Sequence, residues 1–386
     1  MKVLFLDQTG KLAGAERVLL DLVKPYQQEC MVGLFEDGPF QELLTKQNTP
    51  VTVLARKPIE VKRESSLLQG ISSLGKFIPL LLKIVNISRN YDLIYANTPK
   101  AMVIGALASA LSDRPFVYHL HDILTPDHFS STNRRLIITL TNRFASKVIA
   151  VSQAARNAFI EAGGKAELVE VIYNGFEPSQ FQGYESQRDA VRQELDFEDK
   201  FIVGHFCRLS PWKGQDVLLE ALNYCPDDVV ALFVGDALFG EEEYVAQLKQ
   251  QVKNLNLESR VKFLGFRRDV PRLMTGCDLV AHTSTSPEPA SRVLVETMLS
   301  GKPLVASRNG GTTELVREDK MGWLFPSGDA SALGKIINER HQQPEQTAKI
   351  AIQARAMASD MFKLEKNQQE VTKLLEEVIR NSKVSK

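Results

Sequence analysis

Short runs rich in Val, Ile, Leu and Phe recur through the first half of the chain, at 3–6, 31–35, 51–54, 93–95, 116–121 and 148–151. Each is bounded by turn-forming residues, and helical segments lie between them. A strand that is apolar throughout, rather than at alternate positions, belongs to a parallel sheet covered by helices on both faces. The pattern then restarts at 201–206 and continues through 229–234, 261–264, 279–282 and 304–306. This predicts an α/β protein of two doubly wound domains, with ligands beyond the carboxyl ends of the strands. The stretch 182–200 is polar and carries no strand pattern, and it follows Tyr173-Asn-Gly-Phe-Glu-Pro178. The boundary is therefore expected near 178, giving domains at 1–178 and 179–360. Residues 361–386 should close the chain as an amphipathic helix, with Leu364, Val371, Leu374, Leu375, Val378 and Ile379 on one face.

Composition narrows the class. A chain of 386 residues with 44% hydrophobic and 24% charged positions is an ordinary globular protein, neither disordered nor fibrous. A formal net charge of zero argues against bulk nucleic-acid binding, and no nucleic-acid partner is expected. Between positions 45 and 165, however, 16 Lys and Arg face 7 Asp and Glu, so the first half carries a basic belt. Within it, Lys57, Lys62, Arg63, Lys76, Lys83 and Arg89 surround an apolar run at 71–87 in which Pro79 should interrupt the helix. That segment either packs on the sheet or forms a basic amphipathic surface for anionic lipid headgroups. Cys30, Cys207, Cys225 and Cys277 sit singly, without disulfide or zinc-ligand spacing, and fit a reducing cytoplasm. The opening Met1-Lys-Val-Leu-Phe-Leu-Asp7 is expected to be a strand, and the longest uncharged apolar stretches fall short of the ~20 residues that span a bilayer. Membrane contact, if present, should be peripheral.

The most informative chemistry lies between Ser286 and Gly301, where Glu288 precedes an apolar run and Glu296 lies two turns inside it. A helix starting near Ser291 presents backbone N–H groups and a positive dipole end, a ready site for phosphate. Carboxylates beside such an anion would repel it but suit sugar hydroxyls, which points to a nucleotide sugar. A second segment, Gly204-His-Phe-Cys-Arg-Leu-Ser-Pro-Trp-Lys-Gly214, follows a strand and precedes a helix. It throws Arg208 and Lys213 from a strand-end turn, where guanidinium and ammonium can clamp a diphosphate together. No Asp-X-Asp or His and carboxylate cluster at ligand spacing is present, so neither a metal nor another cofactor is expected. Asp236 either lines the donor pocket or caps the turn after its strand.

These residues carry a resemblance. Arg208-Leu-Ser-Pro-Trp-Lys-Gly214, Val234-Gly-Asp236, the Glu288 to Glu296 spacing and Asn309-Gly-Gly-Thr-Thr-Glu-Leu315 resemble retaining glycosyltransferase family four, of the GT-B fold. Ala13-Gly-Ala-Glu-Arg-Val18, His121-Asp122, Val151-Ser152 and Ile172-Tyr-Asn-Gly175 extend the match through the first domain in the expected order. The resemblance implies two Rossmann-like domains facing each other across a cleft, an acceptor-binding first domain, a nucleotide-sugar-binding second domain and a last helix returning to the first. It implies that Arg208 and Lys213 hold the diphosphate, Glu296 the ribose and Glu288 the donor hexose, with backbone N–H groups of Ala290, Ser291, Arg292, Val293 and Leu294 reaching sugar and phosphate. Gly265, Phe266 and Arg267 match a base-contacting segment. Gly14 and Glu16 match a loop that approaches the transferred sugar and acceptor, and His121 a histidine facing the donor hexose. His119, on the same side of its strand, reads as a core histidine.

This chain departs from the family pattern at Ala13, Cys207, Ala290 and Ser291, where glycine, glycine, phenylalanine and glycine are common, and a Cβ at Ser291 bears on which sugar fits. The resemblance implies transfer of a hexose from a nucleoside diphosphate sugar, by family frequency a UDP-hexose such as UDP-glucose, to a glycan or lipid-linked acceptor in cell-surface polysaccharide synthesis. No residue stands out as a double-displacement nucleophile, which favours front-face departure and attack after domain closure. A nucleotide-sugar epimerase and a catalytically silent nucleotide-sugar-binding protein are the alternatives.

Overall fold

A computed structural model of the chain describes residues 1–55, 67–238 and 240–384, apart from the side chains of 67–76. Lys57, Lys62 and Arg63 of the basic segment lie outside the described residues, as does the side chain of Lys76. The described chain divides into two compact units, Met1–Gly175 with Leu364–Lys386, and Phe176–Lys363. The change-over thus falls slightly before the 178 expected from composition.

The first unit is built on β1 (Val3–Asp7), β2 (Cys30–Leu34), β3 (Val51–Val53), β4 (Leu93–Ala96), β5 (Phe116–Leu120), β6 (Lys147–Ala150) and β7 (Val169–Val171). They form one parallel sheet in the order β3-β2-β1-β4-β5-β6-β7. The final helix, Leu364–Val384, belongs to this unit and inserts Val371, Leu374, Leu375 and Val378 into a core with Phe5, Leu19, Tyr95 and Ile149. Sequence periodicity had already put those four residues on one face.

The helix Leu67–Ser88 runs through Pro79 rather than being interrupted there. Proline in a helix interior removes one N–H and crowds the preceding turn, at roughly 3 kcal/mol. Burial of Leu80, Ile84 and Val85, and packing against the helix Pro99–Ser112, offset that cost. Among the described residues, no helix is long and apolar enough to cross a membrane.

The second unit holds β8 (Phe201–Phe206), β9 (Val229–Val234), β10 (Val261–Phe263), β11 (Leu279–His282), β12 (Leu304–Arg308) and β13 (Trp323–Pro326). Their parallel order is β10-β9-β8-β11-β12-β13. Neighbouring residues of one strand enter different cores: Ile202, Leu232 and Val280 pack on one side, and Val203, Phe233 and Leu279 on the other. That two-sided burial is why these strands read as unbroken apolar runs.

Candidate active site

In each unit the chain leaves a central strand in both directions: β1 lies between β2 and β4, and β8 between β9 and β11. In an open parallel sheet such a switch point, beyond the carboxyl end of the central strand, is where ligands bind. Of the polar residues singled out from the sequence, Arg208, Lys213 and Glu288 follow the strands at the second switch point, and Glu16 and His121 lie near the first.

In the second unit, β8 leads into Cys207 and Arg208. Buried Gln215 fastens this turn, its amide donating to the Arg208 carbonyl at 3.0 Å and to Cys207 Sγ at 3.1 Å. The Arg208 guanidinium lies 5.6 Å from the Trp212 ring and 3.7 Å from the Glu241 carboxylate. A helical turn, Pro211–Lys213, then delivers Lys213, whose ammonium is 4.0 Å from the same ring. The turn closes on Gly214 at φ +66°, where a Cβ would stand 2.1 Å from the Thr283 carbonyl oxygen. Thr283 completes the junction: its hydroxyl donates to the Gly214 carbonyl at 2.6 Å and pairs with His205 Nε2 at 2.9 Å. Burial first, and then the nearby His282 and Lys213, pull His205 down to about 3, so it stays neutral.

From β11 the chain continues to Glu288, which is only 2% exposed. One oxygen, Oε1, receives the Lys213 ammonium, the Ser284 hydroxyl at 2.5 Å and His282 Nε2 at 3.2 Å. Burial alone would raise this carboxyl. Lys213 and His282 outweigh it and hold Glu288 well below the usual carboxylate range. The result is a buried, ionised pair.

The loop after β12 supports it from behind. Gly311 N–H donates to the Glu288 carbonyl at 2.8 Å, and Asn309 Nδ2 to the Ser284 carbonyl at 2.6 Å. Gly310, at φ +47°, lies so close that a Cβ would be 2.3 Å from the Glu288 carbonyl oxygen. The Asn309-Gly310-Gly311 motif is thus a cradle for the carboxylate loop.

The helix Arg292–Leu299 starts just beyond, with Ser291 as N-cap making no side-chain capping bond. Val293 and Leu294 bury their side chains in the core, so only their backbone could meet a ligand. Ala290 packs partly buried against the same core as Leu294. Arg292 stacks 4.4 Å over Phe176 and places Nε 3.2 Å from Glu296 Oε1.

Other predicted residues have local partners. Asp236 is exposed, and its carboxylate accepts from the Ala237 N–H at 2.8 Å, the turn-capping alternative. Gly265 sits at φ +65° with open space where a Cβ would be, and the Phe266 ring is 63% exposed. Arg267 is tied to Asp269 at 2.7 Å and Glu194 at 3.3 Å, hydrogen bonds that push the guanidinium further up.

In the first unit, Asp7 ends β1 and Asn97 follows β4. Asn97 Nδ2 donates to Asp7 Oδ2 at 2.7 Å and to the Ala15 carbonyl at 3.1 Å, while its Oδ1 pairs with His121 Nε2 at 2.9 Å. With the amide nitrogen committed as donor, Oδ1 must accept, which assigns a proton to Nε2 of His121. Next to it, His119 is buried, bonds the Tyr95 hydroxyl at 2.6 Å and is driven well below the usual histidine range by burial and then by His121. Gly14 opens the helix Gly14–Leu22 with free space around it, and Glu16 accepts from the Ala13 N–H at 2.9 Å. Burial raises Asp7, with Glu16 adding to it; burial also raises Glu16, and it lifts Asp122 to about 6.

Asp7, Asn97, His282 and Ser284 were not singled out from sequence. Their signal was position, each lying at or just after the end of a strand bordering a switch point. A consequence for Asp122 can be measured. Because its folded pKa lies above the ordinary 3.8, the folded state holds the extra proton and stability falls as pH rises from about 4 to 6. Asp122→Asn should flatten that slope, gaining at most about 3 kcal/mol at pH 7; melting curves from pH 4 to 7 would read it, and an unchanged slope would refute it.

Comparison with known proteins places these geometries in a family. Residues 187–357 match the group-1 glycosyl transferases and residues 12–180 match Glycosyltransferase Family 4. The crystal structure of HepE from Anabaena, in complex with UDP-glucose, is 51% identical, covers 98% of this chain and 100% of that one, and superposes with a TM-score of 0.91. The UDP-Gal:alpha-D-GlcNAc-diphosphoundecaprenol alpha-1,3-galactosyltransferase of Escherichia coli is 25% identical over 361 residues, 88% of this chain and 89% of that protein. Sucrose-phosphate synthase from Thermosynechococcus elongatus, at 18% identity and a TM-score of 0.83, covers 98% of this chain and 99% of that one and shares the fold. The chain belongs to glycosyltransferase family 4 and is a glycosyltransferase of the GT-B type.

Proposed function

We propose that this glycosyltransferase moves a hexose from a UDP-hexose, UDP-glucose foremost, to a hydroxyl of a glycan or lipid-linked acceptor, with retention of anomeric configuration. The reading is carried by the buried Lys213–Glu288 ion pair beside the N-terminus of Arg292–Leu299 at the β8/β11 switch point. The half-identical HepE complexes with UDP and UDP-glucose support the donor. Bacterial cell-surface polysaccharide synthesis, in a reducing cytoplasm at the membrane surface, is the setting we infer from the lipid-linked substrate of the E. coli relative and the basic first half.

Arg208, Lys213 and the helix N–H groups would take the diphosphate. Charge-assisted hydrogen bonds contribute roughly 1.5–3 kcal/mol each and strengthen as the leaving group gains charge. Glu296 would bind the ribose, Glu288 the hexose hydroxyls, and the exposed Phe266 ring would offer a face to the base. His121, Gly14 and Glu16 would serve the transferred sugar and acceptor. No residue stands out as a double-displacement nucleophile in the sequence, and on that ground we favour a front-face course over a Glu288 adduct. In that course the bond from sugar C1 to the phosphate oxygen breaks, the acceptor oxygen bonds C1 on the same face, and its proton passes to the departing phosphate oxygen.

The test is diphosphate release and sugar transfer from UDP-, GDP- and ADP-hexoses, with membrane extract as acceptor source and with EDTA. Positive charge from Arg208, Lys213 and the helix terminus should suffice, so turnover with a UDP-hexose should survive EDTA. The product should keep the donor's anomeric configuration by NMR. An inverted product, or loss of turnover in EDTA restored by a divalent metal, would overturn the mechanism.

A further inference from the structure

Asn97 is fully buried in the first unit, yet its side chain is a polar amide. It follows β4, which lies between β1, ended by Asp7, and β5, followed by His121. One side chain thus links the ends of three adjacent strands and, through the Ala15 carbonyl, the helix Gly14–Leu22. Without accessible surface, Asn97 touches neither donor nor acceptor. Any part it takes in the reaction passes through a neighbour.

The sense of each bond is fixed. Nδ2 donates to Asp7 Oδ2 at 2.7 Å and to the Ala15 carbonyl at 3.1 Å. A carbonyl oxygen only accepts, so the amide nitrogen must face Ala15 in whatever protonation state Asp7 is found. The amide oxygen is thereby turned to His121 Nε2, 2.9 Å away, and it too only accepts. On the same ring packs His119, with centroids 3.9 Å apart, itself anchored by the Tyr95 hydroxyl at 2.6 Å.

We infer, given the role proposed above for His121, that Asn97 is a positioning residue for sugar transfer: anchored by Asp7 and the Ala15 carbonyl, it fixes the His121 ring and its tautomer, so that Nδ1 accepts a hydrogen bond from a sugar hydroxyl. In a neutral imidazole the partner of one nitrogen decides what the other can do. A proton on Nε2 makes Nδ1 an acceptor; the other tautomer would put an N–H there and reverse the sense of the bond. Groups that orient a functional histidine from behind set both its angle and its basicity.

Long-range proton–nitrogen NMR of the full chain, at about pH 8 where an ordinary imidazole is neutral, reads the tautomer directly. The His121 signals are those lost in His121→Ala. The ring proton should sit on Nε2 alone in the wild type, and in Asn97→Ala the two nitrogen shifts should move toward each other as both tautomers become populated. Transfer assays supply the second readout. Asn97→Ala should lower kcat by roughly 10–100-fold with donor KM changing less than about threefold, the mark of misplacing a catalytic group. In a His121→Ala background the same substitution should cost less than about threefold, because the group it positions is gone. If Asn97→Ala does not fold, Asp7→Asn, which keeps the size but offers Asn97 a donor as well as an acceptor, should give the same changes in smaller measure. A wild-type proton on Nδ1, unchanged His121 shifts in both variants, or an equal loss from Asn97→Ala in the two backgrounds would overturn the inference. Undiminished transfer by His121→Ala, with the wild-type proton on Nε2, would remove His121 from the reaction and the inference with it, leaving the donor assignments of the second unit standing.

Discussion

Glu288→Gln should lower stability by about 3 kcal/mol and cut sugar transfer by roughly 10³-fold, and adding Lys213→Met should restore most of the stability but none of the activity. The amide keeps the size of the side chain and can still meet Ser284, but the Lys213 ammonium is left buried beside no anion. Breaking a buried pair from one side costs several kcal/mol because a charge stays desolvated, whereas removing both charges is often close to neutral. In melting temperature the single change should read as a fall of roughly 6–12 °C, most of it recovered in the double variant. Catalysis does not follow that arithmetic. If the two residues act as a unit, the double variant should be no worse than the poorer single one.

The pH dependence has a definite sign. Glu288 has a depressed pKa in the folded state, so its contribution is complete above the ordinary value of 4.5 and fades only as pH falls below it. The wild type should therefore lose stability more steeply than the double variant on acidification below about pH 4.5. Equal stability of Glu288→Gln and wild type at pH 7, or transfer above a tenth of the wild-type rate, would sink the assignment.

Lys213 and Glu288 were legible in the sequence as candidates because each follows a strand end in a family-like motif. Their direct contact was not legible: they lie 75 residues apart and meet only because β8 and β11 are neighbours in the sheet. The same holds for His282 and Ser284, which look like ordinary strand-end residues until Glu288 folds back onto them. In the fold, central strands buried on both faces announced themselves. β7 did not, because the exposed Glu170 breaks its apolar run at the sheet edge; β13, also an edge strand, has only Trp323-Leu324-Phe325 before Pro326 ends it. The path of the chain through Pro79 was likewise decided by tertiary packing rather than by local preference.

The glycines behind Glu288 lead to the other large effect. Gly310→Ala should lower kcat by roughly 100-fold while donor affinity changes much less, since a displacement of about 1 Å at a catalytic group costs that much in rate. Two penalties combine at this position. A side chain at φ +47° is in the left-handed region, at about 1–2 kcal/mol. In addition, its Cβ would stand 2.3 Å from the carbonyl oxygen and 2.6 Å from the nitrogen of Glu288, neither of which can swing aside as a side chain would. The Glu288 backbone must move, and with it the carboxylate that Lys213, Ser284 and His282 share. Gly183→Ala separates the two penalties, because Gly183 also has a positive φ, +85°, but no atom within 4 Å of where its Cβ would be. That control should lose about 1 kcal/mol of stability and no turnover. If Gly310→Ala behaves like Gly183→Ala, the cradle does not position Glu288, and the carboxylate must be held in place by its side-chain partners alone.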